Sequence, residues 1–133
     1  MSDIAANESA VRDVLERWAA AVRAKKMPEI LAQHATDLLM FDVPPPFTSR
    51  GLDAYEDTWR LFYSSQPEPV AFDIKWMQVV AGEDVAFAYA HMQCAERAEN
   101  GERVPLDFRL TVGLRRAGGR WLIVHEHHSV PAT

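Results

Sequence analysis

Apolar positions recur at helical spacing through the first half of the chain and at strand spacing through the second. Ile4, Val11, Leu15, Trp18 and Val22 stand three, four or seven residues apart behind Ser2 and Asp3, two residues able to cap a helix start. This predicts an amphipathic helix to about Lys25. Pro28 suits the first turn of a second, short helix carrying Ile30 and Leu31. The stretch "DLLMFD" then reads as a strand that stops at Pro44-Pro45-Pro46, because proline has no N–H to continue a ladder. After Gly51, the residues Leu52, Tyr55, Trp59 and Phe62 share one helical face and predict a third helix, which "SSQPEP" breaks.

From there the period shortens. Val70–Val80, Asp84–Glu96, Val104–Arg115 and Arg120–Ser129 are four extended segments separated by "AGED", "ENGE" and "AGG", and Asn100-Gly101 is a strong hairpin signal. They predict an antiparallel meander. Helices followed by strands imply an α+β domain in which a curved sheet wraps the helices, with residues 1–133 as one domain and no linker or repeat.

Strand alternation sorts the side chains of the last two segments. Trp121, Ile123, His125, His127 and Ser129 fall on one face, and Leu122, Val124, Glu126, His128 and Val130 on the other. The preceding segment separates Arg109, Thr111, Gly113 and Arg115 from Leu110, Val112 and Leu114. A face that turns from apolar to polar along its length is what a pocket wall requires. His125 and His127 are therefore expected in a pocket, and His128 at a subunit interface or in solvent.

Composition narrows the partners. The 133 residues are 48% hydrophobic and 25% charged, enough for one core, and a net charge of -5 with scattered arginines leaves no footprint for nucleic acid. The single cysteine, Cys94, lies in the apolar run "AYAHMQCA" and reads as a buried thiol, which fits a reducing, cytoplasmic setting. The first residues lack the basic-then-apolar order of an export signal, and no apolar run approaches membrane-spanning length.

Three stretches carry a resemblance: "FDVPPP", the "GLDAYEDTWRLFY" opened by Gly51, and the ending "GGRWLIVHEHHSVP". Together they resemble the nuclear-transport-factor-2-like (NTF2-like) superfamily, in particular its SnoaL-like and ketosteroid-isomerase-like bacterial members. The closing Trp, His-x-His and Ser-x-Pro are also similar to the association (hub) domain of calcium/calmodulin-dependent protein kinase II. The resemblance implies a cone: a strongly curved, mainly antiparallel sheet around about three N-terminal helices, a pocket inside, and a homodimer through the outer sheet face. "HATDLLMFDVPPPFTSRG" is similar to the isomerase stretch whose strand ends at the general base, and Asp42 occupies that place. The residue pattern alone leaves Asp42 open between a pocket role and a cap of the proline turn. The chain departs from the isomerase elsewhere. Trp18 stands where a tyrosine would donate to the oxyanion, and "FRLTVGL" supplies no acid, so Arg109 or a protonated His127 would have to hold an anion instead.

The expected site accordingly has Asp42 as base, His127 as acid or hydrogen-bond donor and Arg109 as anion holder. Trp18, Trp59, Tyr63, His91, Trp121 and His125 would form its walls, although aromatics at helical spacing also serve as core. His125 and His127 could ligate a metal only with further ligands, for which His91, Asp42 and Glu96 are the candidates. Sequence shows no convergence among them, so neither metal nor cofactor is assigned. The function expected is that of a small-molecule pocket protein, as an enzyme of proton transfer or isomerisation, cyclisation or hydration of an apolar carbonyl or carboxylate compound. The alternative is a non-catalytic ligand-binding or hub-like oligomerisation module.

Overall fold

The structure, a computed structural model, describes residues 3–132. Helix α1 (Ile4–Arg23) begins at Asp3, whose carboxylate accepts the Ala6 N–H at 3.1 Å; Ser2, the other half of the expected cap, lies outside the described residues. The helix buries Val11, Leu15, Trp18 and Val22 as their spacing requires. It ends two residues early because Lys25 takes a left-handed backbone, φ 57°, and the chain turns into α2 (Met27–Ala32) with Pro28 in the first turn. Strand β1 (His34–Phe41) is longer than "DLLMFD", and a two-residue strand β2 (Ser49–Arg50) pairs with it before α3 (Gly51–Ser65).

The remaining strands, β3 (Phe72–Ala81), β4 (Val85–Arg97), β5 (Arg103–Ala117) and β6 (Arg120–Ser129), form the expected antiparallel meander. The sheet order is β2-β1-β6-β5-β4-β3, with β1 running parallel to β6. Periodicity did not reveal that pairing, which places a strand from the first third of the chain beside the last one. The six strands curl around the helices, an α+β cone as expected, and Trp18, Tyr55, Trp59 and Phe72 pack edge to face at its centre. Within β4 the buried side is built from Ala86, Ala88, Ala90 and Met92, while Phe87, Tyr89 and His91 point outward. No helix among the described residues is long and apolar enough to cross a membrane.

One irregularity reverses part of the sequence reading. In the β5–β6 ladder Gly113 pairs with His125 and Leu114 with Ile123, so Val124 is an extra residue, a β-bulge. Ahead of the bulge Trp121 and Ile123 face the interior. Beyond it Glu126 and His128 do, and His125 and His127 turn to the outer face. The expected assignment of His125 and His127 to the pocket, and of His128 away from it, is thereby inverted.

Candidate active site

The interior holds a cavity of about 570 Å³ between α3, the end of β1 and strands β3 to β6. Met40, Trp59, Phe62, Phe72, Leu106 and Phe108 give it apolar walls, and Asp42, Cys94, Glu96 and His128 supply its ionisable groups. Asp42 and His128 come together because of the parallel pairing. Met40 lies opposite Glu126 and Phe41 opposite His127, so the strand's end delivers Asp42 to the part of the cavity that His128 lines, close enough for its charge to act on the imidazole. Alternation along β1 sends Leu38 and Met40 inward and carries Asp42 to the same side. The Asp42 Oδ1 also accepts the Val43 N–H at 2.8 Å, so the residue caps the turn before the prolines while lining the cavity.

Behind His128 stands a buried polar network. Its Nε2 lies 2.8 Å from Glu126 Oε1, and its ring stacks on Phe108 at 5.7 Å and meets the edge of Trp18 at 6.3 Å. Glu126 is fully buried, and its Oε2 accepts the Tyr55 hydroxyl at 2.6 Å and is bonded to His34 Nε2. The Tyr55 oxygen in turn accepts the Trp18 indole N–H at 3.0 Å, while the Trp59 indole N–H lies close by, outside hydrogen-bond geometry. His34 Nδ1 lies 2.8 Å from the Ile30 carbonyl, which can only accept; Nδ1 therefore carries a hydrogen, and Nε2 faces Glu126 Oε2.

The electrostatics follow from these contacts. Burial alone would raise the Glu126 carboxyl, but the charge of His34 and the hydrogen bonds from His128 and His34 outweigh it and hold it at about 2. Burial would lower His128, and the Glu126 bond and charge, with a contribution from Asp42, reverse this and raise it. Tyr55 is driven well up, first by burial and then by the Glu126 charge, so it remains a donor. Burial, helped by Glu96 and Asp42, pushes the Cys94 thiol to about 11 and leaves it inert. With Nε2 committed to Glu126, Nδ1 is the His128 nitrogen left to address the cavity. An imidazolium beside a carboxylate can give a proton at one position and take one at the next.

Of the residues expected in the site, Asp42 and Trp59 line the cavity. Trp18 is fully buried and supports Tyr55 and His128 from behind. The others lie elsewhere. Tyr63 donates its hydroxyl to the Val22 carbonyl at 2.7 Å and ties α3 to α1, and Trp121 is buried beneath the Arg116 guanidinium, 4.8 Å from its ring. Arg109 is on the outer face with its Nε–H on Ser129 Oγ at 3.1 Å, because it alternates with the buried Phe108 and Leu110. His91 packs outside against Trp76 at 5.1 Å. His125 Nδ1 bonds the Leu39 carbonyl at 2.7 Å, and exposed His127 meets the edge of Phe41 and lines, with Asp42 and Pro44–Pro46, a second cleft outside the inner cavity. Sequence reasoning missed His34, Tyr55, Glu126 and the inward turn of His128. Gly113, a glycine inside a strand, was the available sign of a bulge in this ladder.

Helices filling a curled, mostly antiparallel six-stranded sheet define the class, the NTF2-like fold. The chain belongs to the SnoaL-like domain family, whose profile matches residues 11–133. Among solved structures it is similar to an NTF2-like protein of unknown function from Pseudomonas putida KT2440, with 34% identity, TM-score 0.86, and 97% of this chain and 89% of that one covered. A ketosteroid isomerase-like protein from Erwinia carotovora atroseptica SCRI1043 shares the fold at 17% identity and TM-score 0.78, covering 96% and 98%. A calcium/calmodulin-dependent protein kinase II association domain-like protein from Xanthomonas campestris does so at 18% and 0.76, covering 92% and 87%. Among curated proteins none matches the chain in sequence.

Proposed function

We propose that this single SnoaL-like domain is an acid–base enzyme acting on a small apolar oxygen-bearing molecule, with Asp42 taking a proton and His128 giving one. The observation that carries the proposal is the meeting of these two groups at an otherwise apolar cavity of about 570 Å³, with Glu126 holding His128 charged. His128 thus takes the acid's role that strand alternation offered to His127. Arg109, outside the cone, holds no anion in this cavity. Proton transfer within an apolar wall is also the chemistry to which the ketosteroid isomerase-like neighbour's name points.

Proton abstraction can be read without knowing the natural substrate. Ring-sized ketones incubated with the protein in deuterated water exchange their α-hydrogens, and NMR follows the loss of signal. At least one ketone is expected to exchange faster with the wild type than with Asp42→Asn, by about 10²-fold or more. Equal rates for the two proteins would remove Asp42 as the base.

The outer sheet face supports a homodimer. Trp76, Phe87 and Tyr89 are 47%, 47% and 41% exposed there, and the rings of Phe87 and Tyr89 stack at 6.1 Å. The same face favours the second reading, a non-catalytic hub-like module, which a discrete large oligomer and no exchange with any ketone would support. The cytoplasmic setting proposed rests on the single, buried free thiol of Cys94.

A further inference from the structure

On the outer face of the sheet, away from the inner cavity, we infer that His125 and His127 form a two-imidazole site for a divalent transition-metal ion. Past the bulge at Val124 both rings stand on one flank of β6, two residues apart, with centres 6.4 Å apart and planes inclined by 64°. One of them is already oriented as a ligand. The Leu39 carbonyl lies 2.7 Å from His125 Nδ1 and can only accept, so Nδ1 carries the hydrogen and Nε2 of the neutral ring keeps its lone pair. A carbonyl that engages the second ring nitrogen is the usual means by which a metal-binding imidazole is held in place. Neither His125 Nε2 nor either nitrogen of His127 makes a hydrogen bond to the described residues, so three ring nitrogens face solvent uncommitted.

Chelation asks for a small adjustment. An ion about 2.1 Å from a nitrogen of each ring, with tetrahedral or octahedral angles, needs ring centres roughly 5 Å apart. Rotation of His127 supplies the difference, since the residue is exposed and its ring meets Phe41 edge-on at 5.4 Å. Gly113, opposite His125, adds no side chain on the β5 flank and leaves room for coordinated water. Among the described residues no third His, Cys, Asp or Glu joins the pair, so solvent completes the coordination. The donors then choose the ion. Two imidazole nitrogens without a carboxylate suit copper, nickel or zinc, and offer little to magnesium or calcium, which take oxygen. Because His127 also edges the outer cleft with Phe41, Asp42 and Pro44–Pro46, the ion's open positions border that cleft.

The test is a calorimetric titration of the untagged, intact protein, stripped with a chelator and then freed of it, with Cu²⁺, Ni²⁺, Zn²⁺ and Mg²⁺. Cu²⁺ is expected to bind one to a chain and more tightly than Ni²⁺ or Zn²⁺, and Mg²⁺ is expected not to bind. His125→Asn, whose amide still has an N–H for the Leu39 carbonyl, and His127→Asn should each weaken Cu²⁺ by at least about 10-fold. His91→Asn, a change elsewhere on the outer face, should leave it unchanged. Electron paramagnetic resonance of the copper form should show two coordinated imidazole nitrogens. Circular dichroism verifies the fold of each variant, and the exposed His127 carries the test should His125→Asn unfold. Equal Cu²⁺ affinity in wild type and His127→Asn, loss of binding in His91→Asn, or a spectrum with a single imidazole nitrogen would overturn the inference.

Discussion

Three side chains, His34, Tyr55 and His128, converge on the buried carboxylate of Glu126, and its charge survives burial because of them. Folding lowers the Glu126 carboxyl from 4.5 to about 2, so its contribution to stability is complete above about pH 4.5 and is lost as pH falls towards 2. His128 has the opposite sign. Raised from 6.5, it contributes fully below that value and loses its contribution as pH rises through the folded-state value. The melting temperature should therefore be highest between about pH 4.5 and 6.5, with both flanks traceable to this network. Glu126→Gln should cost about 3 kcal/mol, because it strands two buried imidazoles, and should flatten both flanks. Circular dichroism melts across the pH range check this. A variant that melts like the wild type would mean that Glu126 is not ionised in the fold.

A single extra residue in β6 decides which histidine enters the cone. "WLIV" is apolar at four successive positions, so it carries no alternation of its own, and continuing the parity from Trp121 through it led to the wrong face for everything after Val124. In β5, where no bulge intervenes, alternation separated Arg109 from Leu110 correctly, but the side expected to face the pocket was the wrong one: Leu110 is buried and Arg109 is outside. Deleting Val124 removes the extra residue and leaves Ile123, Glu126 and His128 on the face they already occupy, so His34 and Tyr55 keep the carboxylate they share. The deletion protein is therefore expected to retain a cooperative thermal transition, followed by circular dichroism. Loss of that transition would show that Val124 does more than set the parity of the strand.

At the scale of the whole molecule, the distribution of side-chain size across β4 is inverted relative to an isolated domain. Alanines point to the core and aromatics to the surface, where Phe87, Tyr89 and Trp76 form an exposed apolar patch. A second copy of this face would cover the rings. Phe87→Glu with Tyr89→Glu should convert a homodimer to a monomer in size-exclusion chromatography with light scattering. The melting temperature of the monomer should fall by only the part that association contributes. Wild-type protein that runs as a monomer at micromolar concentration would remove the dimer proposal.

Local rules determined much of this protein. Period, proline and glycine placement located the three helices and the four-strand meander, and the order of elements implied the curled α+β sheet, because hydrophobic spacing and backbone restrictions act within a few residues. For Asp42 the residue pattern left a pocket wall and a turn cap open, and the structure shows both, with its carboxylate on the Val43 N–H at the edge of the cavity. What tertiary structure alone decided was company and direction. The parallel pairing of β1 with β6 joins residues more than eighty positions apart and brings Asp42 to the part of the cavity that His128 lines. The bulge at Val124 then points Glu126 inward, onto His34 from the start of β1 and Tyr55 from α3. No periodicity encodes that meeting, because it depends on how separate elements pack, and it is there that the histidine-rich tail acquires its chemistry.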